Sequence, residues 1–333
     1  MVRVVIVTPV EAELVERLSA VDDRLEIVFE PELLPPPRYP SDHRGDESFR
    51  RSPEQEARFR DLIASAEVLY GIPGEQPELL AEAVRSAPGL RFVQATAAGA
   101  GQQVAAAALT EEELGRVAFS SASGVHATPL AEWSIFGALA ITKGLPRLLR
   151  DARERRWEHY AVSELRGRTM LVVGLGAIGK EVARLAEAFG MRVLSVRRRE
   201  GDLDELLPQA DVVVVTLPLT DETRGMISRE RIARMRHGAA FVNVGRGAVV
   251  DEDALVEALR AGRLAGAALD VFAEEPLPAD SPLWELENVI VSPHTAALSL
   301  HENERIVELF ADNLRRYLAG EELRSRVRTS AFY

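Results

Sequence analysis

The 333-residue chain contains no cysteine, few aromatic residues and almost no lysine. Without cysteine, disulfide bonds, thiolate zinc sites and a cysteine nucleophile are all excluded. Only Lys143 and Lys180 are lysines, so arginine supplies the rest of the 40 basic residues. The arginine excess fits either a general compositional bias or a few sites where a planar guanidinium holds an anion better than an ammonium group does.

Positive charge and long apolar runs are also scarce. The 40 basic residues face 52 acidic ones, and this net charge of -12 argues against bulk binding of nucleic acid. The longest uncharged stretch, 92–110, is mostly alanine and glycine interrupted by glutamine, too weakly apolar for a membrane span. No histidine or acidic cluster has the spacing of a zinc or calcium site. We therefore expect a cytoplasmic protein with no metal, nucleic-acid or membrane partner.

Strand-like and helix-like segments alternate in two series, which predicts two α/β domains with parallel sheets and crossover helices. In the first series, helices are expected near 54–65 and 76–85, and strands at 2–7, 25–29, 67–71 and 90–94. In the second, a helix over 127–143 precedes strands at 169–173, 192–196, 211–216, 239–244, 265–270 and 288–292. A helix over 299–320 ends the pattern. The proline-rich segment 33–53 is predicted to be a long loop, either a solvated insertion or a flap over a site.

A glycine-rich turn lies between a predicted strand and a predicted helix, and this context indicates a dinucleotide-binding turn. Gly174 would allow the tight turn, Gly176 would let the backbone approach a pyrophosphate, and Gly179 would let helix and strand pack closely. Ala177 and Ile178 open the helix, whose N-terminal amides would face the phosphates. The alternative is a glycine turn without a ligand.

The end of the next strand bears on which dinucleotide binds. An acidic residue there would bond the ribose of NAD, whereas this chain has Arg197 and Arg198. An arginine fork can bind a 2′-phosphate through paired charged hydrogen bonds, so we predict that NADP(H) is preferred and that NAD(H) is possible. The alternative is a solvated arginine run.

Three short segments follow predicted strands and would share the carboxyl edge of the second sheet. They contribute Arg246, the acidic pair Glu274 and Glu275, and His294. These residue types suit hydride transfer to a 2-keto acid, because an arginine can hold the carboxylate and a histidine can protonate the forming alkoxide. Taken singly, each has a plainer explanation: Arg246 could pair with acidic residues at 251 and 252, Glu275 could be solvated, and His294 could be a turn residue.

At this point the sequence resembles the D-isomer-specific 2-hydroxyacid dehydrogenases, closely over 90–320 and more loosely before that. The resemblance rests on an ordered set of segments, namely GLGAIG (174–179), TLPLTDETRGMI (216–227), NVGRGAVVDEDALVEAL (243–259), ALDVFAEEPLP (268–278) and SPLWELENVIVSPHTA (281–296). It implies a catalytic trio of Arg246, Glu275 and His294, with Glu275 chosen over its neighbour because it directly precedes the proline.

The resemblance also implies a wider set of binding residues. Asp270 would contact the nicotinamide carboxamide, and the small-residue loop 96–101 would receive the substrate carboxylate through the backbone of Ala98, Gly99 and Ala100. The remaining residues expected to line the cofactor are Leu217, Pro218, Thr223, Val244 and Gly245.

Within the family, the arginine run and the proline-rich loop look like the glyoxylate/hydroxypyruvate reductase branch, which favours NADPH. The resemblance implies a small-molecule 2-keto or 2-hydroxy acid as substrate. Two alternatives stay open: an NAD-linked dehydrogenase of another 2-hydroxy acid or of phosphite, and a non-enzymatic nucleotide-sensing protein resembling a corepressor.

The expected architecture is a substrate domain built from residues 1–101 and 295–333, with a dinucleotide-binding domain of 102–294 inserted into it. Both would be Rossmann-like or flavodoxin-like, the inserted one with a doubly wound parallel sheet, and the active site would lie in the cleft between them. A homodimer is expected, with the helical segment 127–158 and its Trp133, Phe136 and Trp157 as the candidate interface. Buried core is the competing interpretation of those aromatic residues.

Overall fold

The computed structural model describes residues 1–197 and 202–330. Its strands are β1 (Val2–Ile6), β2 (Leu25–Val28), β3 (Val68–Tyr70), β4 (Phe92–Gln94), β5 (Ala118–Ser120), β6 (Thr169–Val173), β7 (Arg192–Val196), β8 (Val212–Val215), β9 (Ala239–Asn243), β10 (Leu264–Leu269) and β11 (Val289–Val291). Its α-helices are α1 (Ala12–Ser19), α2 (Pro53–Ala64), α3 (Pro77–Ser86), α4 (Ala100–Ala106), α5 (Glu111–Arg116), α6 (Ala127–Thr142), α7 (Leu145–Arg153), α8 (Ala177–Ala188), α9 (Leu203–Leu206), α10 (Arg229–Arg234), α11 (Glu252–Arg260) and α12 (Glu302–Ala319).

The chain divides into two compact units, each built around one parallel sheet. The first unit comprises residues 1–126 and the C-terminal segment from residue 298, and the second comprises 127–297. Within the described residues, the first sheet has the strand order β2-β1-β3-β4-β5 and the second β11-β10-β9-β8-β6-β7. The predicted fold class, two parallel α/β sheets with one unit inserted into the other, is confirmed.

Both sheets change winding direction after their first strand. In the first sheet, β1 lies between β2 and β3; in the second, β6 lies between β7 and β8. Successive crossovers therefore leave in opposite directions at β1/β3 and at β6/β8. Such switch points open a crevice at the carboxyl edge of a parallel sheet, and ligands bind there.

The strands are apolar on both faces because helices cover each sheet on both sides. Along β8, Val212 and Val214 pack in a core with α6 and α8, whereas Val213 and Val215 pack in the core on the opposite face. The first sheet shows the same alternation. This two-residue period explains why these segments read as continuous apolar runs in the sequence.

The shortest elements were not predicted from the sequence. They include α4, α5 and β5, whose segments are too short and too rich in alanine, glycine and glutamate to show a hydrophobic period. Because β5 pairs with β4, the first unit extends to residue 126 instead of ending at the expected boundary after residue 101. The segment between Leu34 and Ser52 is the long loop that was predicted.

Candidate active site

The glycine turn joins β6 to α8 at the switch point of the second sheet. Gly174 has φ +105°, which L side chains rarely adopt, and Thr216 Oγ1 donates to its carbonyl over 2.6 Å. A Cβ at Gly179 would lie 1.9 Å from the same carbonyl oxygen, so only glycine lets α8 pack this closely. Gly176 is exposed, and no atom of the described residues lies within 4 Å of an added Cβ, which leaves open space for a ligand at the start of the helix.

The turn also shows what could occupy that space. The exposed Ala177 and the half-buried Ile178 begin α8, and no side chain caps this helix. The first amide groups of a helix have no acceptor within the helix, so they are available to an anion. The observed cradle fits the pyrophosphate of a dinucleotide.

Arg197 lies at the carboxyl edge of the second sheet, beside the glycine turn. It directly follows β7, whose last residue Val196 pairs with Val173 and accepts a hydrogen bond from the Gly174 amide over 3.0 Å. Its side chain is exposed. Arg198, the second residue predicted to contact a phosphate, lies outside the described residues.

The segment after β8 forms the opposite side of this switch point. Leu217 is half-buried and Pro218 exposed, while Thr223 is buried and its hydroxyl donates to the Pro218 carbonyl over 2.7 Å. Thr223 thus holds the loop that carries Leu217 and Pro218, and its expected place beside the cofactor stays a prediction.

The arginine segment follows β9. Val244 is buried, and the Gly245 amide donates to Asn243 Oδ1 over 3.0 Å, which closes the turn. Half-buried Arg246 uses Nη1 to donate to the Gly245 carbonyl over 2.7 Å. A Cβ at Gly247 would lie 1.8 Å from the backbone carbonyl carbon of Phe272, so the arginine segment packs tightly on the segment that carries the acid.

Glu275 and His294 form a hydrogen-bonded pair. His294 Nδ1 lies 2.7 Å from Glu275 Oε2, and the other carboxylate oxygen accepts the Phe272 amide over 3.0 Å. The carboxylate therefore fixes the ring, with Nδ1–H as the donor, and within the described residues Nε2 has no partner. The histidine is 45% exposed, so this nitrogen is open to a small molecule.

Asp270 holds the turn that carries His294. It is buried, and its Oδ1 accepts hydrogen bonds from Ser292 Oγ over 2.6 Å and from the amides of Thr295 over 2.9 Å and Ala296 over 3.0 Å. Burial raises the pKa of Asp270, and the hydrogen bond from Ser292 opposes that shift. His294, at the tip of this turn, has φ +55°. The described hydrogen bonds of Asp270 hold the histidine turn, and its expected contact with the nicotinamide stays a prediction.

The plainer explanation for Arg246, an ion pair with Asp251 or Glu252, is not what the structure shows. Asp251 caps α11 through the Ala254 amide, and Glu252 accepts the Ala273 amide, so both carboxylates are engaged away from Arg246. The roles of Asn243 and Ser292 were not predicted from the sequence. Both stand in segments typical of the family, but only the hydrogen bonds of the folded chain distinguish them from their neighbours.

The predicted substrate loop lies in the first unit, after β4. Ala98 is exposed, Gly99 precedes α4, and the side chain of Ala100 is fully buried. Among the described residues, no group of three or more His, Asp or Glu side chains is arranged to hold a metal. No described helix is long and apolar enough to cross a membrane.

The comparisons with known proteins agree with this geometry. Residues 135–296 match the family model for the NAD binding domain of D-isomer specific 2-hydroxyacid dehydrogenases. The chain is 37% identical over 259 residues to a glyoxylate reductase of Korarchaeum cryptofilum, covering 72% of this chain and 77% of that protein. The chain belongs to this family. It is accordingly an NAD(P)-dependent enzyme of the D-2-hydroxyacid dehydrogenase type.

Two further similarities extend the comparison. The chain is 43% identical over 172 residues to glyoxylate/hydroxypyruvate reductase B of Pectobacterium carotovorum, covering 48% of this chain and 54% of that protein. A 2-hydroxyacid dehydrogenase from Xanthobacter autotrophicus, solved in complex with NADPH and MES, superposes with a TM-score of 0.75 at 28% identity and covers 99% of both chains.

Proposed function

We propose that this enzyme reduces small 2-keto acids of the glyoxylate and hydroxypyruvate type to D-2-hydroxy acids. The observation that carries the proposal is the Glu275–His294 pair, whose Nε2 is free of partners within the described residues. The names of the similar reductases support the substrate class. The second unit would serve as the dinucleotide-binding domain and the first as the substrate domain.

Each residue of the trio has a distinct part in this proposal. Bound nicotinamide cofactor supplies the hydride. Arg246 donates to the Gly245 carbonyl through Nη1, so its other guanidinium nitrogens would hold the substrate carboxylate. The guanidinium would also polarise the adjacent substrate carbonyl. His294 would hold a proton on Nε2 and deliver it to the carbonyl oxygen as negative charge develops there. Glu275 would accept the Nδ1 proton in a hydrogen bond and so hold the ring in the orientation that exposes Nε2.

In the reverse direction the same groups exchange roles. A neutral His294 would accept the hydroxyl proton of a 2-hydroxy acid at Nε2, while Glu275 stabilises the charge that forms on the ring. The loop of Ala98, Gly99 and Ala100 would add backbone donors to the substrate carboxylate. Asp270 would keep the histidine turn in place in both directions.

Steady-state kinetics would test this function. Purified protein is mixed with NADPH or NADH and with glyoxylate, hydroxypyruvate or pyruvate, and nicotinamide oxidation is followed together with the configuration of the product. We expect oxidation with at least one of these acids and a D product wherever the new centre is chiral. Protein that binds cofactor yet oxidises it with none of them would refute the proposal.

We propose further that NADP(H) is the preferred cofactor. Arg197 stands where an NAD-binding relative would place an acid, and it is exposed at the edge beside the glycine turn. The similar structure solved with NADPH supports this preference. A carboxylate at this position would repel a 2′-phosphate and accept the ribose hydroxyls instead.

The Arg197→Asp variant would test the cofactor preference. The ratio of kcat/KM for NADPH over NADH should fall by about 10–100-fold, the worth of one to two charged hydrogen bonds. An equal charge change at Arg192, which begins β7 at the opposite edge of the sheet, provides the control and should leave the ratio unchanged. An unaltered ratio in Arg197→Asp would refute the phosphate contact.

We also propose a homodimer through the helical segment 127–158. This segment exposes apolar side chains, with Phe136 at 46% and Trp157 at 91% exposure, whereas Trp133 packs against the core. Sedimentation should give twice the 36.6 kDa chain mass, and Trp157→Glu should shift the protein towards the monomer. A wild-type monomer at assay concentrations would contradict this.

A further inference from the structure

The first unit contains a cavity at the switch point of its own sheet. Its volume is about 580 Å³, within the usual range for a small-molecule site. Val7 and Pro9 line it just beyond β1, and Pro73 and Gly74 line it just beyond β3. These are the two strands between which the winding direction changes, so the cavity occupies the crevice where parallel α/β sheets bind ligands.

The long loop between Leu34 and Ser52 forms the opposite wall of the cavity. Its conformation is fixed by contacts within the loop. Buried Asp42 accepts hydrogen bonds from Arg38 Nε over 2.7 Å and from the Gly45 amide over 3.1 Å. Gly45 has φ +68°, and a Cβ there would lie 2.7 Å from Pro35. The loop therefore closes on itself at a position that only glycine accommodates.

Arg44 is fixed at its backbone by both neighbours while its side chain stays unengaged. On one side, the His43 carbonyl accepts Thr8 Oγ1 over 2.8 Å and the His43 ring lies 2.7 Å from Asn303 Oδ1. On the other side stands Gly45 with the contacts just described. Within the described residues, the guanidinium of Arg44 has no hydrogen-bond or ion-pair partner, and it lines the cavity.

The other charged groups of the wall are engaged. Arg51 donates to the Leu33 carbonyl over 2.6 Å and pairs with Glu56, and Arg50 donates to two backbone carbonyls of its own loop. Of the two acids, Asp46 accepts the Ser48 amide and Glu47 lies 3.9 Å from Arg38. Within the described residues, Arg44 is thus the cavity-lining arginine whose guanidinium forms neither a hydrogen bond nor an ion pair.

The cavity borders the segment proposed to bind the substrate carboxylate. Gly74 and Gln76 line it, and Glu75 between them accepts Thr96 Oγ1 over 2.9 Å and Gln103 Nε2 over 3.0 Å. Thr96 begins the small-residue loop 96–101. A substrate whose carboxylate lies on that loop would therefore direct longer side chains toward β3 and β1, into the cavity.

We infer that the cavity receives the distal part of a 2-keto acid and that Arg44 binds a second anionic group on it. Besides the small acids of the proposed function, the enzyme would then accept a longer 2-keto acid with a terminal carboxylate, whose distal part a cavity of about 580 Å³ can accommodate. Apolar residues such as Val7 and Pro73 would contact its methylene groups. This inference rests on the proposed function for its reaction but on the first unit alone for its binding site.

Two acids of equal chain length isolate the second anion: 2-oxopentanedioate carries a terminal carboxylate and 2-oxopentanoate ends in a methyl group. In wild-type enzyme, kcat/KM should favour the dicarboxylate, and Arg44→Gln should lower the ratio of dicarboxylate to monocarboxylate by about tenfold or more. Arg44→Lys should retain part of the preference because it keeps the charge. Arg17→Gln, the same charge change on the surface of α1, should leave the ratio unchanged.

Calorimetric titration of 2-oxopentanedioate into cofactor-loaded protein separates the two proposals. Binding that is weakened about tenfold by Arg44→Gln supports the cavity assignment even if no 2-keto acid is reduced, an outcome that would refute only the reaction. A ratio of kcat/KM that Arg44→Gln leaves unchanged, or a dicarboxylate affinity equal in both proteins, overturns the role of Arg44.

Discussion

The two sheets present the same kind of edge and equip it differently. Each is parallel, and each changes winding direction beside its first strand. At the edge of the second sheet, polar groups are bonded to one another, as in the chain from the Phe272 amide through Glu275 to His294. At the edge of the first sheet there is a cavity lined by Arg44, whose guanidinium has no partner among the described residues. In our proposals the two units therefore divide the work, with the proton transfer assigned to the second unit and substrate selection to the first.

Rigidity follows the same division. A group that transfers a proton must be held in one orientation, because small misplacements cost much of the rate. Asp270 provides this by accepting three hydrogen bonds from the turn that carries His294. A residue that selects a substrate needs only a fixed backbone and a side-chain end group that can bind the substrate. Arg44 is held in this way. Variants at the two edges should therefore fail in different ways.

The largest effect is expected at the second edge. His294→Ala removes the proton donor, so kcat should fall by about 10²–10⁴-fold while cofactor affinity is retained. Nucleotide binding measured by fluorescence alongside turnover provides the check. His301→Ala, which removes an exposed histidine at the start of α12, is the control and should keep full turnover. Loss of both turnover and cofactor binding in His294→Ala would contradict the assigned role.

A backbone contact gives the next largest effect. Gly247→Ala would place a Cβ 1.8 Å from the Phe272 backbone, so the arginine and acid segments must separate. We expect a loss of about 1–3 kcal/mol in the free energy of unfolding together with a large fall in kcat. Gly115→Ala, where an added Cβ meets nothing within 4 Å, should change stability by less than about 1 kcal/mol. If chemical denaturation gives the same free energy of unfolding for both variants, the predicted clash between residue 247 and the Phe272 backbone is wrong.

The smallest effect concerns the loop of the first edge. Burial alone would raise the pKa of Asp42, but the hydrogen bonds from Arg38 and the Gly45 amide outweigh it and lower the pKa below its ordinary value of 3.8. A lowered pKa in the folded state means stabilisation that is present above that value and lost as pH falls through the folded pKa.

Asp42→Asn should therefore cost about 1–2 kcal/mol near neutral pH and progressively less in acid. Denaturation of both proteins across this range provides the measurement. A penalty that stays constant down to the lowest pH would show that the charge of Asp42 does not hold the loop.

The elements with a clear hydrophobic period and the residues with a characteristic side-chain chemistry could be predicted from the sequence. The apolar run Val212–Val215 and the glycines of the 174–179 turn carry local signals, because a buried strand and a tight turn restrict the residue type at each position. The trio of Arg246, Glu275 and His294 was predicted through the order of its segments. The family comparison supports the order, and their roles remain proposals.

What the sequence did not show depends on contacts between distant residues. Asp270 bonds a turn more than twenty residues away, and no local pattern in the sequence indicates that contact. Likewise, Arg44 is one arginine among many until Thr8 and Asp42 are seen to hold its neighbours His43 and Gly45. Short elements such as β5 are defined by pairing with β4, not by their own composition.

The central claim is that Glu275 acts through His294, and a double-mutant cycle tests it directly. The measurement is kcat with saturating NADPH and glyoxylate for the wild type, Glu275→Gln, His294→Ala and the double variant. If the pair acts as a unit, Glu275→Gln lowers kcat by about tenfold or more in the wild type and has almost no effect once His294 is gone. If Glu275→Gln lowers kcat by the same factor in both backgrounds, the two residues act independently and the account is wrong.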